Sequence, residues 1–234
     1  MTVDDPQMIA REYATLDRLR KRRCDVTGWL RFGGDDEVTQ MQSALREVHP
    51  RRVLDAGCGE GWIASTIVAP EVVCVDQSEA AVEATRARGL RARIADVESL
   101  PFADGEFDAV MCNNVLYHVP DRERALGELA RVLRPGGRFV GIYGFADHLQ
   151  ELWDAIGDPW DPDDFGCSSG PELERHFARV ECRPAGGAVL WETRDDLQEY
   201  LDAFGEMIGT LAAPDRPYPF VATRHKCVLV ADKA

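Results

Sequence analysis

A run of alternating glycines, Val53-Leu-Asp-Ala-Gly-Cys-Gly-Glu-Gly61, stands directly behind a short apolar stretch and ahead of a helical pattern. Glycine at a strand-to-helix turn lets the backbone take positive φ, come close to a ligand and aim helix N-terminal amides at it. The spacing G-x-G-x-G, with Asp55 ahead of it, differs from the G-x-G-x-x-G of dinucleotide binders. From Arg52 to about Tyr143, short β-branched runs alternate with helical patterns, as βαβ units around a parallel sheet require. Strands are predicted at Val53–Ala56, Val72–Val75, Arg91–Ala95, Phe107–Cys112 and Arg138–Tyr143. Ser78 is placed to cap a helix ending at Gly89, and Leu126, Leu129, Ala130 and Leu133 repeat at helical spacing behind Asp121. Pro135-Gly136-Gly137 ends that helix.

Composition narrows the function. The chain has 234 residues, 45% of them hydrophobic, enough for a full core. Its 27 Lys+Arg against 41 Asp+Glu leave a net charge of −14, which disfavours a phosphate-tracking surface and makes nucleic acid a poor partner. Met1-Thr-Val-Asp-Asp leads into no apolar stretch fit for a signal peptide or membrane span, so a cytoplasmic protein with no membrane partner is expected. Seven cysteines contain no C-x-x-C pair and read as reduced core thiols.

The flanks are less regular. Residues 1–50 read as an N-terminal helical cap or lid, with a stripe of Ile9, Tyr13, Leu16 and Leu19 and a second amphipathic stretch from Asp36 to Val48. The basic run of Arg18, Arg20, Lys21, Arg22 and Arg23 is either a solvated face or a site for an acidic group. Residues 51–234 read as the core, with a lid-like insertion at about 146–176. The acidic residues Asp154, Asp158, Asp161, Asp163 and Asp164 within it match no Ca²⁺ loop, and no metal site is expected. Beyond it come strands near Arg179–Cys182 and Val189–Trp191, a helix from Thr193 carrying Leu197, Tyr200, Leu201, Phe204, Ile208 and Leu211, and a last strand Cys227–Ala231.

Val72-Val-Cys-Val-Asp76 ends an apolar strand in an acid that can accept both hydroxyls of a ribose or simply cap the Ser78 helix. Together with Ala95-Asp96-Val97, Phe107-Asp-Ala-Val-Met-Cys-Asn-Asn114 and Leu133-Arg-Pro-Gly-Gly-Arg-Phe-Val140, these segments make residues 51–145 resemble the class I S-adenosylmethionine (SAM)-dependent methyltransferases. Within that family the resemblance is to the small-molecule branch that includes the ubiquinone and menaquinone biosynthesis enzymes.

The resemblance implies an α/β fold with a Rossmann-like, doubly wound, mostly parallel sheet of seven strands, the last antiparallel, and the cofactor across the carboxyl ends of strands one to four. Carried over, Asp55, Gly57, Cys58 and Gly59 would hold the methionine part of SAM, and Asp76 the ribose. Asp96, Val97 and Gln77 would surround the adenine, and Asn113 would offer its backbone carbonyl near the sulfonium. Arg31 or the basic run would meet the cofactor carboxylate.

Methyl transfer from a sulfonium needs a base only when the acceptor must lose a proton. His118, just past the fourth strand, is the candidate base, with capping or packing over the cofactor as its alternative roles. Tyr117, Tyr143 and Trp29 are candidates for the acceptor wall, favouring a small aromatic or apolar metabolite methylated at O, N or C. No Asn-Pro-Pro-Tyr-type tetrapeptide follows the fourth strand. The competing readings are a non-catalytic SAM-binding subunit, an NAD-linked oxidoreductase, and the same fold using SAM for carboxymethyl or cyclopropane chemistry. No heptad or exposed stripe specifies an oligomeric state.

Overall fold

The computed structural model describes residues 7, 11, 16–17, 30–32, 36–145, 147–157, 169–203 and 210–234. Its strands are β1 (Leu30–Phe32), β2 (Arg52–Ala56), β3 (Glu71–Asp76), β4 (Arg91–Ile94), β5 (Phe107–Met111), β6 (Leu133–Gly144), β7 (Arg179–Trp191) and β8 (Phe220–Asp232). They form a single sheet in the order β1-β7-β8-β6-β5-β2-β3-β4. Pairing is parallel from β4 through β3, β2 and β5 to β6, and β8 runs antiparallel to both β6 and β7. The expected seven strands with an antiparallel last strand are therefore present.

One strand is extra. β1 pairs antiparallel with the outer edge of β7, inside the stretch read from sequence as helical. Three residues are too short for any periodicity to show. The same stretch does contain the amphipathic helix expected between Asp36 and Val48, as α1 (Glu37–Glu47), whose first turn is capped by the Asp36 carboxylate accepting the Thr39 N–H at 2.9 Å.

The helices behind the central strands follow their predicted caps. Ser78 caps α2 (Glu79–Ala87), with Gly89 beyond its end at φ +83°. Asp121 caps α3 (Arg122–Val132). The remaining helices are α4 (Gln150–Ile156), α5 (Ser169–Leu173) and α6 (Arg194–Asp202). α6 opens with the Thr193 capping box and is shorter than the pattern suggested. Leu211 lies outside it, and Phe204 and Ile208 lie outside the described residues.

Burial alternates along the strands, so both faces are covered. Val110, Leu54, Phe139 and Tyr143 pack against Leu126 and Leu129 of α3, whereas Ala109, Met111, Val53 and Val140 meet Val38, Met41 and Leu45 of α1. Each such large side chain contributes roughly 1.5–3 kcal/mol on leaving water.

The two strands predicted near 179–182 and 189–191 are one strand, β7. Pro184 and Gly186-Gly187 mask it in the sequence, since both residue types usually weaken a strand. Pro184 lies where β7 has no β1 neighbour, and its carbonyl accepts the Gln40 side chain at 2.8 Å. A Cβ on Gly186 would overlap the Arg224 carbonyl, so the close strand approach there requires glycine. Past Gly144, β7 and β8 continue as an arm whose Val189, Trp191, Phe220 and Ala222 form a separate core with α4 and α6.

Candidate active site

The carboxyl ends of β2, β3, β5 and β6 lie along one edge of the sheet. Beyond Ala56, the N–H groups of Gly57 and Cys58 both donate to the Val75 carbonyl, at 2.8 and 3.0 Å, hooking the glycine turn onto β3. Gly57, Gly59 and Gly61 take φ of +80°, +54° and +72°. A Cβ on Gly57 would collide with the Val115 side chain, and one on Gly61 would sit 2.8 Å from that of Thr85. Thr85 donates its hydroxyl to the Gly59 carbonyl at 2.9 Å, locking the turn from below.

Two carboxylates lie beneath this turn. Asp55 is 3% exposed, and burial together with the nearby charge of Asp76 pushes its pKa up to about 7. Asp76 is also raised, chiefly by burial, against the lowering effect of backbone N–H groups. Its two oxygens accept the N–H of Gly59 at 2.8 Å and of Ser78 at 2.9 Å. No Lys or Arg among the described residues forms an ion pair with either acid. Acids held out of water without a cation are costly, so the site suits a positively charged group and disfavours a pyrophosphate.

Cys58 is a half-buried thiol within 3.5 Å of the Thr85 hydroxyl, and its neighbour Cys74 and burial hold its pKa far above the usual thiol range. It is therefore an inert lining group. The Ala95 N–H donates to the Asp76 carbonyl at 3.0 Å, which brings the turn after β4 alongside the second acid. There Asp96 is exposed, with one oxygen accepting the Glu98 N–H at 2.9 Å. Val97 packs onto the core and Gln77 is exposed. Asp55, Gly57, Cys58, Gly59, Asp76, Gln77, Asp96 and Val97 are thus gathered at one place.

Asn113 closes the row at the end of β5. Its Oδ1 accepts the Ile142 N–H at 3.0 Å, and its Nδ2 is buried with no partner among the described residues. Arg31 is not brought to this place. Its backbone lies on β1, five strand positions from β2, or on the order of 24 Å at the spacing of a sheet. Trp29 and the basic run from Arg18 to Arg23 lie outside the described residues, as do Asp158, Asp161, Asp163 and Asp164.

On the acceptor side the structure corrects one expectation. Tyr143 is fully buried, and its hydroxyl donates to the Cys112 carbonyl at 2.7 Å; it braces β5 against β6 and lines no open surface. Side chains alternate along β6, and Tyr143 falls on the face covered by α3. His118 is 8% exposed, its ring 4.3 Å from that of Tyr117. Trp153 belongs to the arm core and donates its indole N–H to the His148 carbonyl at 3.0 Å.

Other groups at this edge escaped the sequence reading. Phe145, directly after β6, stacks on His225 of β8 with ring centroids 4.3 Å apart. Asp147 meets His225 Nδ1 at 2.6 Å. Burial and the charges of Lys226 and Arg224 push the His148 pKa well below the usual imidazole value. Asp147 and His148 could have been found as polar residues just past a strand's carboxyl end, but His225 lies within the antiparallel β8, two residues ahead of the strand expected from sequence, and carried no such signal.

Residues 54–141 match the family model of a methyltransferase domain. The chain is 37% identical over 118 residues to methyltransferase GfsG of Streptomyces halstedii, covering 46% of this chain and 42% of that protein. It is 40% identical over 143 residues to the demethylmenaquinone methyltransferase of Thermus thermophilus, covering 56% of this chain and 60% of that protein. The chain thus spans about half the length of these curated relatives. Among solved structures, the YcgJ protein of Bacillus subtilis superimposes with a TM-score of 0.59 at 20% identity, covering 84% of this chain and 97% of that one. With its glycine turn, paired acids and strand order, the chain carries a methyltransferase domain over residues 54–141 and is similar to SAM-dependent methyltransferases.

Proposed function

We propose that the protein transfers a methyl group from SAM to O, N or C of a small aromatic or apolar metabolite. The observation that carries this reading is the buried Asp55 beside the half-buried Asp76 beneath the glycine turn, with no described cation paired to either. SAM fits that pair: it brings an ammonium and a sulfonium toward Asp55 and two ribose hydroxyls toward Asp76. The pyrophosphate of NAD would place like charge on it. Bound there, SAM supplies an electrophilic methyl group whose leaving group departs neutral, so alignment provides much of the catalysis.

In this assignment Gly57, Cys58 and Gly59 cradle the methionine part, and Asp96, Val97 and Gln77 border the adenine. The Asn113 carbonyl faces the ammonium. Tyr117 and His118 wall the acceptor side, with Trp29 as a further wall. Arg31 drops out because of its distant strand. The name of the demethylmenaquinone methyltransferase supports a small-molecule acceptor, and the net charge of −14 argues against nucleic acid. Among the described residues no helix is long and apolar enough to cross a membrane. The described cysteines are free thiols, which supports a reducing, cytoplasmic location.

Isothermal titration with SAM, S-adenosylhomocysteine and NADH tests the reading. SAM binding with NADH inert is expected, followed by transfer of isotopically labelled methyl to a panel of phenols, amines and quinone-like metabolites. NADH binding with SAM inert overturns it, and SAM binding with no transfer to any acceptor favours a non-catalytic subunit.

A further inference from the structure

His225 and Asp147 form an oriented imidazole–carboxylate pair at the sheet edge that carries the glycine turn. Lys226 pairs with Gly144, the last residue of β6, so His225 lies one step beyond the end of β6, and the Phe145 N–H donates to its carbonyl at 3.0 Å. Alternation along β8 puts His225 on the face of Cys227, Leu229 and Ala231, which join the core under α3. Phe145 packs against that same core, as does Val115, the side chain directly over Gly57. The imidazole, the Phe145 ring and Val115 thus border one side of the sheet edge. β8 stands two strand positions from β5, on the order of 10 Å away, a span that a planar ring system fills.

The hydrogen bond sets the imidazole's chemistry. An ionised carboxylate only accepts, so the Asp147 contact at 2.6 Å places the proton of neutral His225 on Nδ1. Nε2 then carries a lone pair; it has no hydrogen-bond partner among the described residues, and the side chain is 41% exposed. His118, by contrast, is 8% exposed against Tyr117. Nearby charge comes from Asp147, His148, Arg224 and Lys226, with Glu37 paired to Arg224.

We propose that His225, held by Asp147, is the general base of this enzyme and that its acceptor is a hydroxyl on a planar, apolar molecule. The proposal rests on the methyltransferase reading above. His225 Nε2 takes the hydroxyl proton while the acceptor oxygen forms its bond to the methyl carbon and the C–S bonding pair stays with sulfur. The imidazolium then passes its proton to water. Asp147 is a positioning residue.

The test uses the full chain with SAM and a set of catechol, hydroquinone and 4-hydroxybenzoate, with calorimetric SAM affinity measured in parallel. His225→Gln is expected to lower kcat by about 100-fold or more with SAM affinity unchanged, and added imidazole is expected to restore part of the activity of His225→Ala. Asp147→Asn keeps the shape and serves if His225 variants unfold; it is expected to lower kcat without raising the acceptor KM. In long-range nitrogen–proton NMR spectra the wild-type His225 ring should show a single Nδ1–H tautomer, a readout independent of turnover. Wild-type turnover in His225→Gln, or a wild-type His225 ring without the Nδ1–H tautomer, overturns the base, and wild-type turnover in Asp147→Asn overturns the positioning role of Asp147. SAM binding with methyl transfer to amines or carbon but to no hydroxyl overturns the acceptor class and leaves the parent reading intact. Absence of SAM binding overturns both.

Discussion

Asp76 accepts the N–H of Gly59 at 2.8 Å, so the second acid of the site also pins the turn extending from the strand that carries the first. Replacing Asp76 by Asn keeps one acceptor oxygen for that N–H but loses the second, which accepts the Ser78 N–H, and removes the charge from the proposed ribose contact. Hydrogen bonds to a charged acceptor are worth about 1.5–3 kcal/mol each, so SAM affinity measured by titration is expected to fall by about 10- to 100-fold. An unchanged affinity would remove the ribose assignment.

Asp55 makes binding pH-dependent. Its pKa, about 7 in the folded protein without ligand, must drop when a cation settles beside it, so binding expels a proton at lower pH. SAM affinity is expected to strengthen from about pH 6 to about pH 8, with a limiting slope of about tenfold per pH unit below the pKa. Without ligand the linkage runs the other way. The folded state retains a proton that the unfolded chain, with its ordinary value of 3.8, has released. This group therefore favours the fold most at low pH, and that contribution is lost as pH rises toward 7. In Asp55→Asn, calorimetry should show a flattened pH dependence of binding.

Gly57→Ala combines a positive φ of +80° with a Cβ driven into Val115. The conformational strain alone costs about 1–2 kcal/mol, and the collision adds to it. Denaturant titration should show a clear loss of stability, partly recovered in the double variant Gly57→Ala/Val115→Ala. Full recovery would mean that the backbone strain is negligible.

Tyr143→Phe removes the hydroxyl that satisfies the Cys112 carbonyl in the core. A buried acceptor left without its donor costs about 1–3 kcal/mol. The expected outcome is a lower denaturation midpoint with the acceptor KM unchanged, whereas a raised KM at constant stability would return Tyr143 to the acceptor wall.

The helix caps, the strand alternation and the glycine turn were legible because each is a local rule. Ser78, Asp121 and Thr193 cap their helices through side chains three residues from their partners, and the positive φ of Gly57 and Gly59 is a property of those residues. Asp55 and Asp76 were assigned separately, through the family resemblance, and their closeness follows from the adjacent parallel strands β2 and β3 that carry them.

Tertiary structure alone decided what depends on distant register. β1 joins the sheet only because β7 offers an open edge, and β7 stays continuous through Pro184 and Gly186-Gly187 because β8 supports it along its whole length. Tyr143 faces the core and not an acceptor because of the side of β6 on which it falls. Asp147 meets His225 across 78 residues of chain. No local pattern encodes that contact, because the energy that holds it comes from packing the β8 arm onto the end of β6.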